Sequence, residues 1–255
     1  MTLQRLTIYA HFSEDACVRP FVHRMLEDLR RHSSQVIFVS TSPLAPSEYD
    51  RLRAVCSLVL TTINEGYDFS MWKHALSQVE LGQWDELILT NSSIFGPVRP
   101  LGPALAKMTA ADCDFWGMTH SNEGGPHLQS YFLGFKAAAL RAPCFQEFWS
   151  SVLPYRNKAQ VIRSYELGLT LYLTQCGLRA GAFASIDTMP LDMQAKYRYR
   201  NPTLYWPVEL LRLGLPFIKV ELMRDNPGGV SLEALRDAIS QYGYDLRGSG
   251  CDRAR

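Results

Sequence analysis

The sequence predicts an α/β fold, with a single Rossmann-type domain, a mostly parallel central sheet and a helical embellishment toward the C-terminus. Strand and helix patterns alternate along the first half of the chain, and helical patterning returns around residues 208–213. No Gly/Ser-rich, Pro-rich or charged linker divides the 255 residues, of which 47% are apolar and can form a large core. We therefore expect one domain over residues 1–245, in two halves at 1–100 and 101–245, and a disordered tail at 246–255.

The first half of the chain supplies the parallel part of the predicted sheet. Short apolar, β-branched runs indicate strands, and apolar residues at three- and four-residue spacing indicate helices. After the second strand, a polar segment that contains Pro43 indicates a connection. Strands separated by helices of this length favour a parallel, doubly wound sheet. The predicted strands are residues 6–12, 36–39, 55–60 and 86–90, and the predicted helices are 18–29 and 72–79.

The second half of the chain is less regular. Two strand patterns joined by a glycine-bearing loop precede three helical patterns, the last of which ends at Gly177. The strands are residues 114–118 and 130–135, the loop is 121–126, and the helices are 137–140, 144–153 and 164–176.

Composition argues against several classes of function. The formal net charge is +1 without a basic stripe, so the footprint of a nucleic-acid binder is missing. The six cysteines form no C-x-x-C pair, which argues against a zinc site or a redox dithiol. The start of the chain lacks a signal-peptide pattern, and no apolar run approaches the ~20 residues of a spanning helix, so we expect a cytoplasmic protein. The apolar strings Leu204-Tyr205-Trp206 and Leu210-Leu211 favour core packing, with peripheral contact at the inner face of the membrane as the alternative.

Polar residues follow each predicted strand, at the edge where doubly wound sheets bind ligands. His11 follows the first strand, and Asn64-Glu65-Gly66-Tyr67-Asp68 joins a strand to a helix, where backbone amides can receive phosphate. Gly66 permits a tight turn, Asp68 can accept from a base or ribose, and Lys73 can neutralise a diphosphate. The alternative is a capped turn, with Asp68 as the N-cap and Lys73 in solvent.

Three further segments carry candidate polar groups. Asn91-Ser92-Ser93 ends the strand 86–90, either in a ligand site or in a simple turn. Alternation over residues 127–132 puts His127 and Gln129 on one strand face, which can line a sugar pocket, although His127 can equally be a structural residue. Glu166 stands in the first turn of the predicted helix 164–176, as a general base or as an anion that the helix dipole favours.

The polar segments described above, and several others along the chain, resemble sequences of the rhamnan synthesis F family, which belongs to bacterial surface-polysaccharide assembly. The similar strings run in order from about residue 6 to residue 245, and several are distinctive. They are Ile8-Tyr9-Ala10-His11-Phe12, Asn64-Glu65-Gly66-Tyr67-Asp68-Phe69, Asp85-Glu86-Leu87-Ile88-Leu89-Thr90-Asn91-Ser92-Ser93, Phe95-Gly96-Pro97, Asp114-Phe115-Trp116-Gly117, His127-Leu128-Gln129-Ser130-Tyr131-Phe132, Tyr165-Glu166-Leu167-Gly168-Leu169-Thr170, Asn201-Pro202-Thr203, Pro216-Phe217-Ile218-Lys219 and Arg224-Asp225-Asn226-Pro227.

The resemblance implies a GT-A-like fold and an inverting glycosyltransferase. It implies transfer of rhamnose from dTDP-L-rhamnose to a growing bacterial surface polysaccharide or lipid-linked glycan. The half 1–100 is then expected to bind the nucleotide sugar and the half 101–245 the acceptor. The expected donor-binding residues are His11, Asn64, Gly66, Tyr67, Asp68, Lys73, Asn91, Ser92 and Ser93, the expected acceptor-binding residues are Trp116, His127 and Gln129, and the expected catalytic base is Glu166.

One segment departs from the family pattern. Sugar-nucleotide transferases of this fold usually hold Mg²⁺ or Mn²⁺ through a D-x-D motif, and the family tends to read Asn-Asp-Ser where this chain has Asn91-Ser92-Ser93. We therefore predict no metal ligand there and leave the need for Mg²⁺ or Mn²⁺ open, since Lys73 and helix-end amides can screen the diphosphate instead. Two alternatives stay open: a non-catalytic glycan- or nucleotide-binding subunit that recruits partner transferases, and a transferase for another nucleotide sugar.

Overall fold

The computed structural model describes residues 3–244 and has the predicted α/β architecture. The strands are β1 (Arg5–His11), β2 (Gln35–Ser40), β3 (Leu58–Thr61), β4 (Glu86–Asn91), β5 (Ile94–Phe95), β6 (Phe115–Ser121), β7 (His127–Leu128), β8 (Phe132–Lys136), β9 (Ala180–Ala184) and β10 (Ile218–Lys219). The helices are α1 (Pro20–His32), α2 (Pro46–Val55), α3 (Tyr67–Leu76), α4 (Gly102–Ala110), α5 (Ala137–Arg141), α6 (Pro143–Ser151), α7 (Lys158–Val161), α8 (Leu167–Gln175), α9 (Leu191–Tyr197), α10 (Pro202–Tyr205), α11 (Pro207–Arg212), α12 (Val220–Arg224) and α13 (Leu232–Ser240).

The central sheet is mostly parallel, as predicted. Its strands are ordered β3-β2-β1-β4-β8-β6-β7, and β9 also pairs with β6. Strands β3, β2, β1 and β4 are mutually parallel, β8 runs antiparallel between β4 and β6, and β9 is parallel to β6. All seven residues of β1 are buried, so its apolar residues Leu6, Ile8, Tyr9 and Ala10 lie on both faces of the strand rather than on one. Strand β5 follows directly after β4 and forms a separate antiparallel pair with β10.

Helices cover both faces of the sheet. On one face, α3, α5, α6 and α8 bury large side chains such as Trp72 and Phe145 against the strands. On the other face, α1, α2 and α4 cover strand residues such as Phe38, and Met25 of α1 is among the buried side chains there. Each such side chain contributes roughly 1.5–3 kcal/mol when it leaves water, so these two layers hold the sheet in place. A smaller cluster under α11, α12 and α13 forms the expected helical embellishment.

Several expected elements differ from the structure. Helix α2 occupies the segment expected as a connection; it begins at Pro46 and buries only Leu52, so its apolar pattern is weak. Because α2 extends to Val55, strand β3 begins at Leu58 rather than at residue 55. The strand expected over residues 130–135 begins at Phe132, because a turn interrupts the chain after β7. The expected tail at 246–255 lies outside the described residues.

The apolar strings near α10 and α11 pack in the core, which was the favoured interpretation. Leu204, Trp206, Leu210 and Leu211 are all buried. Across residues 3–244, none of the helices combines the length and the apolar character that crossing a bilayer requires.

Candidate active site

Three polar side chains form a hydrogen-bonded chain at the carboxyl end of β4. Asn91, the last residue of β4, donates from Nδ2 to Oδ2 of Asp68 at 2.7 Å. The Oδ1 atom of Asn91 accepts from the backbone N and the Oγ of Ser93, at 3.0 and 2.6 Å. Because both ends of the Asn91 amide are engaged, its orientation is fixed, and it ties the start of α3 to the end of β4.

The turn before α3 places Asp68 at this edge. Gly66 is the N-cap with φ 82°, and a Cβ there would lie 1.9 Å from a side-chain oxygen of the same helix, so only glycine fits. Tyr67 follows with φ 55°, a strained conformation for a residue with a side chain. Asp68 is the second residue of α3 rather than its N-cap, so the capped-turn alternative is wrong. Asn64 lies exposed in the preceding loop.

Lys219 lies beside the same strand end, although 126 positions separate it from Ser93. The pairing of β10 with β5 sets Lys219 opposite Ile94, and the backbone N of Val220 donates to the carbonyl of Ser93 at 2.9 Å. The Lys219 Nζ donates to Ser93 Oγ at 3.2 Å and lies 4.7 Å from the centre of the Tyr131 ring. Reasoning from spacing missed Lys219, because a two-residue strand has no visible pattern; the one signal was its place in the string Pro216-Phe217-Ile218-Lys219.

Glu166 reaches the edge from an irregular helical turn. A helical stretch begins at Lys158, capped by the side chain of Asn157, and a π-turn at Ile162–Glu166 interrupts it before α8. The expectation that Glu166 lies in the first turn of its helix is therefore wrong, and the helix dipole does not account for it. The Oε1 atom of Glu166 accepts from the backbone N of Ser130 at 2.9 Å. Single π-turns inside helices are frequent at functional sites.

Asp68, Glu166 and Lys219 act on one another electrostatically. Burial raises the pKa of Asp68 to about 6; the Lys219 charge opposes the rise and the Glu166 charge adds to it. Burial also lowers the pKa of Lys219, against the charges of Glu166 and Asp68. We call these three residues, together with Asn91, Ser93 and Ser130, the edge cluster. Perturbed carboxyl and amino groups that converge in this way are a common mark of a functional site.

Two expected donor residues, His11 and Ser92, lie at the carboxyl ends of adjacent strands. His11 is buried, and its Nδ1 lies 2.9 Å from Ser40 Oγ. Burial lowers the pKa of His11 to about 4, so the imidazole is neutral at physiological pH. The Ser92 Oγ accepts from the backbone N of Phe12 at 3.4 Å. Tyr67 lies at the outer rim and is 40% exposed.

Lys73 is not part of this site. Its Nζ donates to the carbonyl oxygens of Ser150 and Val152, both at 2.7 Å. These carbonyls belong to the last residues of α6 and its C-cap, which need donors. The expectation that Lys73 screens a diphosphate is therefore corrected: its ammonium group caps α6, and it does not extend freely into solvent either.

Trp116 also lies away from the edge cluster. It is the second residue of β6 and is fully buried, and its Nε1 donates to Oε1 of Glu86 at 3.0 Å. Glu86 is the first residue of β4, at the opposite end of that strand from Asn91. The expected contact of Trp116 with an acceptor is corrected for this reason.

His127 and Gln129 are both buried and hydrogen-bonded within the protein. The Nδ1 of His127 lies 2.8 Å from the carbonyl oxygen of Gly125. Gln129 accepts from Thr119 Oγ1 at 2.7 Å and donates to Asn201 Oδ1 at 3.0 Å. Gln129 directly precedes Ser130, so its bonds help to hold the turn that contacts Glu166. Acceptor binding by these two residues stays a prediction.

At Asn91 and Ser93 the edge cluster presents no carboxylate ligand to a divalent cation, because its two carboxyl groups belong to Asp68 and Glu166. Mg²⁺ and Mn²⁺ bind through several convergent oxygens, most often carboxylates. Around Asn91 and Ser93 the donors are an amide and a hydroxyl, and the Lys219 ammonium group already bonds to that hydroxyl. Within residues 3–244, no three His, Cys, Asp or Glu side chains are grouped so that they could hold a metal ion.

Comparison with known proteins gives both sequence and structural relatives. Residues 36–247 match the model of the family described as Rhamnan synthesis protein F. Virulence protein VirA of Vibrio anguillarum is 28% identical over 253 residues, covering 89% of this chain and 81% of that protein. Protein y4gN of Sinorhizobium fredii, which has no described function, is 26% identical over 217 residues, covering 82% of this chain and 57% of that protein.

Among solved structures, the inositol-1-phosphate CTP transferase of T. maritima superposes with a TM-score of 0.48 at 9% identity, covering 96% of this chain and 98% of that one. A cytidylyltransferase of Leptospira borgpetersenii superposes with a TM-score of 0.40 at 10% identity, covering 71% and 76% of the two chains.

Proposed function

The chain belongs to the Rhamnan synthesis protein F family, and we propose that it is an inverting glycosyltransferase that uses a nucleotide sugar. Family membership supports a nucleotide-sugar transferase-like protein of polysaccharide biosynthesis. We propose dTDP-L-rhamnose as the donor and a growing surface polysaccharide or lipid-linked glycan as the acceptor. The half 1–100 supplies most of the residues proposed for donor binding, and the half 101–245 supplies the proposed base and the acceptor site.

The observation that carries this proposal is the hydrogen-bonded chain from Asp68 through Asn91 and Ser93 to Lys219 at the carboxyl edge of the parallel strands. Glu166, held by the Ser130 amide, lies close enough to act on the charges of Asp68 and Lys219. Doubly wound sheets bind their ligands at this edge. Asp68 comes from the first half of the chain and Glu166 from the second. A donor bound beside Asp68 therefore meets an acceptor bound beside Glu166.

In the proposed reaction Glu166 is the general base. The acceptor hydroxyl loses its proton to the Glu166 carboxylate as its oxygen forms a bond to the anomeric carbon of the donor. The bond from that carbon to the diphosphate oxygen breaks, and its electron pair leaves with the nucleoside diphosphate. Attack from the side opposite the leaving group inverts the anomeric centre, and a single base suffices for this step.

The Ser130 amide orients the proposed base. Its N–H donates to Glu166 Oε1 at 2.9 Å, which favours the charged carboxylate. No described residue hydrogen-bonds the second oxygen, Oε2, so this atom is the one that can accept the hydroxyl proton.

The proposal is tested by incubating the full chain with dTDP-L-rhamnose and a glycan acceptor and measuring the release of dTDP. In Glu166→Gln we expect kcat to fall by roughly 10²- to 10⁴-fold, the usual contribution of a general base. The affinity for dTDP should change by less than about threefold, because the neutral amide keeps the shape and the Ser130 contact. The matched control is Glu233→Gln, an exposed residue of α13, which should turn over normally.

Three results would count against parts of the proposal. Normal turnover by Glu166→Gln removes the base assignment. A wild-type chain that binds dTDP but releases none from any nucleotide sugar supports the non-catalytic subunit instead. Release from a different nucleotide sugar identifies another donor.

A further inference from the structure

We propose that Lys219 is the fixed cation of the donor site, and that its ammonium group binds the diphosphate in place of a divalent metal ion. This inference rests on the proposed function and adds the group that holds the leaving diphosphate. It predicts a nucleotide-sugar transferase whose donor binding does not require a metal.

The backbone holds Lys219 in this position. Pairing of β10 with β5 and the bond from Val220 N to the Ser93 carbonyl lock the chain on both sides of the lysine. The side chain crosses the face of Tyr131, which is itself fixed by a bond between its hydroxyl and Thr119 Oγ1 at 3.0 Å. A cation on an aromatic face gains electrostatic stabilisation and loses its freedom to swing into solvent. The ammonium group is therefore preorganised at the end of β4.

The chemistry of the strand end matches an ammonium ion rather than a metal. Asn91, Ser92 and Ser93 have no carboxylate, and Lys219 donates to the hydroxyl of Ser93. A divalent cation at the same point would be repelled by this ammonium group at close range. A diphosphate, in contrast, would accept from it in a charge-assisted hydrogen bond.

Neighbouring charges act on the ammonium group that would receive the diphosphate. Asp68, Glu166 and Glu221 act on Lys219 with negative charge, and Lys158, exposed at the first position of α7, acts on both Asp68 and Lys219 with positive charge. Burial disfavours the charged form of Lys219, so a bound diphosphate restores a strong partner to that ammonium group. The developing negative charge on the leaving diphosphate oxygen is stabilised by the same group.

The test measures dTDP and UDP binding to the full chain by calorimetry, in EDTA and then with Mn²⁺ or Mg²⁺ in excess. We expect wild-type affinity to be equal within about threefold under these conditions. Lys219→Gln keeps a donor for Ser93 but removes the charge, and should bind the preferred diphosphate about 10- to 100-fold more weakly. Lys196→Gln, an exposed lysine of α9, is the control and should bind as the wild type does.

The outcomes separate this inference from the function on which it rests. If the wild-type chain binds dTDP or UDP only with Mn²⁺ or Mg²⁺, or if a folded Lys219→Gln binds them normally, the role of Lys219 is refuted and the transferase proposal stands. If the wild type binds neither diphosphate under any condition, both proposals fall. If thermal melting shows that Lys219→Gln is unfolded, the comparison of wild-type diphosphate binding in EDTA and in Mn²⁺ or Mg²⁺ is the test of the role of Lys219.

Discussion

Asp68 gives a prediction that isolates one titrating group of the site. Its pKa is raised from 3.8 to about 6, mainly by burial, so the folded state binds a proton more readily than the unfolded state does. The stability that this proton contributes is fully present below about pH 4 and is lost as the pH rises through about 6. The wild-type chain should therefore lose stability relative to Asp68→Asn, which cannot titrate, as the pH rises.

The expected size follows from the shift. A rise in the Asp68 pKa of about two units, at 1.36 kcal/mol per unit, corresponds to about 3 kcal/mol of unfolding free energy over the whole titration. About 2 kcal/mol of this is lost between about pH 4.5 and pH 7.5. Asp68 is only half-buried and its charge is partly screened, so this figure is an upper bound. Any constant cost of the substitution, such as a weaker bond to Asn91, cancels when the two pH values are compared.

The assay is urea unfolding of both chains at the two pH values, without ligand. Asp15→Asn is a control of opposite sign. The hydrogen bond from Ser13 holds the pKa of Asp15 below its usual value, so the wild type should gain on Asp15→Asn as the pH rises. A gap between wild type and Asp68→Asn that stays constant, or that moves in favour of the wild type with rising pH, would refute the buried-carboxyl assignment.

Two further predictions concern residues outside the site. Lys73→Met should lower the free energy of unfolding by about 1–3 kcal/mol, because two carbonyls at the end of α6 lose their donor. The variant should bind dTDP as the wild type does, and a large loss of affinity in calorimetry would contradict this. Arg5→Met should cost about 3–5 kcal/mol in urea unfolding, because it leaves the buried Glu86 carboxylate without the cation 2.6 Å away. Replacing Glu86 by Leu as well should recover most of that loss, and a single-variant cost below about 1 kcal/mol would argue against the pair.

The fold was largely predictable because its strands are buried on both faces. Strands such as β1 and β4 lie between two layers of helices, so apolar residues fill both faces of their central part, as in Leu87-Ile88-Leu89, and this run stands out against the amphipathic helices. Helix α2 was missed for the converse reason, since a helix that buries little beyond Leu52 leaves almost no apolar stripe. The break after Leu128 was missed because the sequence alternates through a turn whose path depends on Gln129 bonding to distant residues.

The site was predictable only where it follows from the parallel strands. Asn91 and Ser93 end a strand, and Asp68 begins the helix after another, so the rule that ligands bind at carboxyl ends points to all three. The two lysines show the limit of this reasoning. Lys73 lies on α3, the helix that follows a strand end and could bind phosphate, but its side chain points toward the end of α6. Lys219 belongs to a two-residue strand that is defined only by its pairing with β5.

The edge cluster runs against the stability of the chain, which is the physical reason to regard it as functional. Folding places a carboxyl group and an amino group in surroundings that disfavour their charges, and it holds Tyr67 at a positive φ. None of these costs is needed to fill the core, since Asp68 and Lys219 are not among the side chains that form its apolar clusters. A protein retains such groups where an anion or a reacting hydroxyl interacts with them. The three substitutions test these roles separately. The Asp68 variant reports on proton binding, the Glu166 variant on turnover, and the Lys219 variant on diphosphate affinity without a metal.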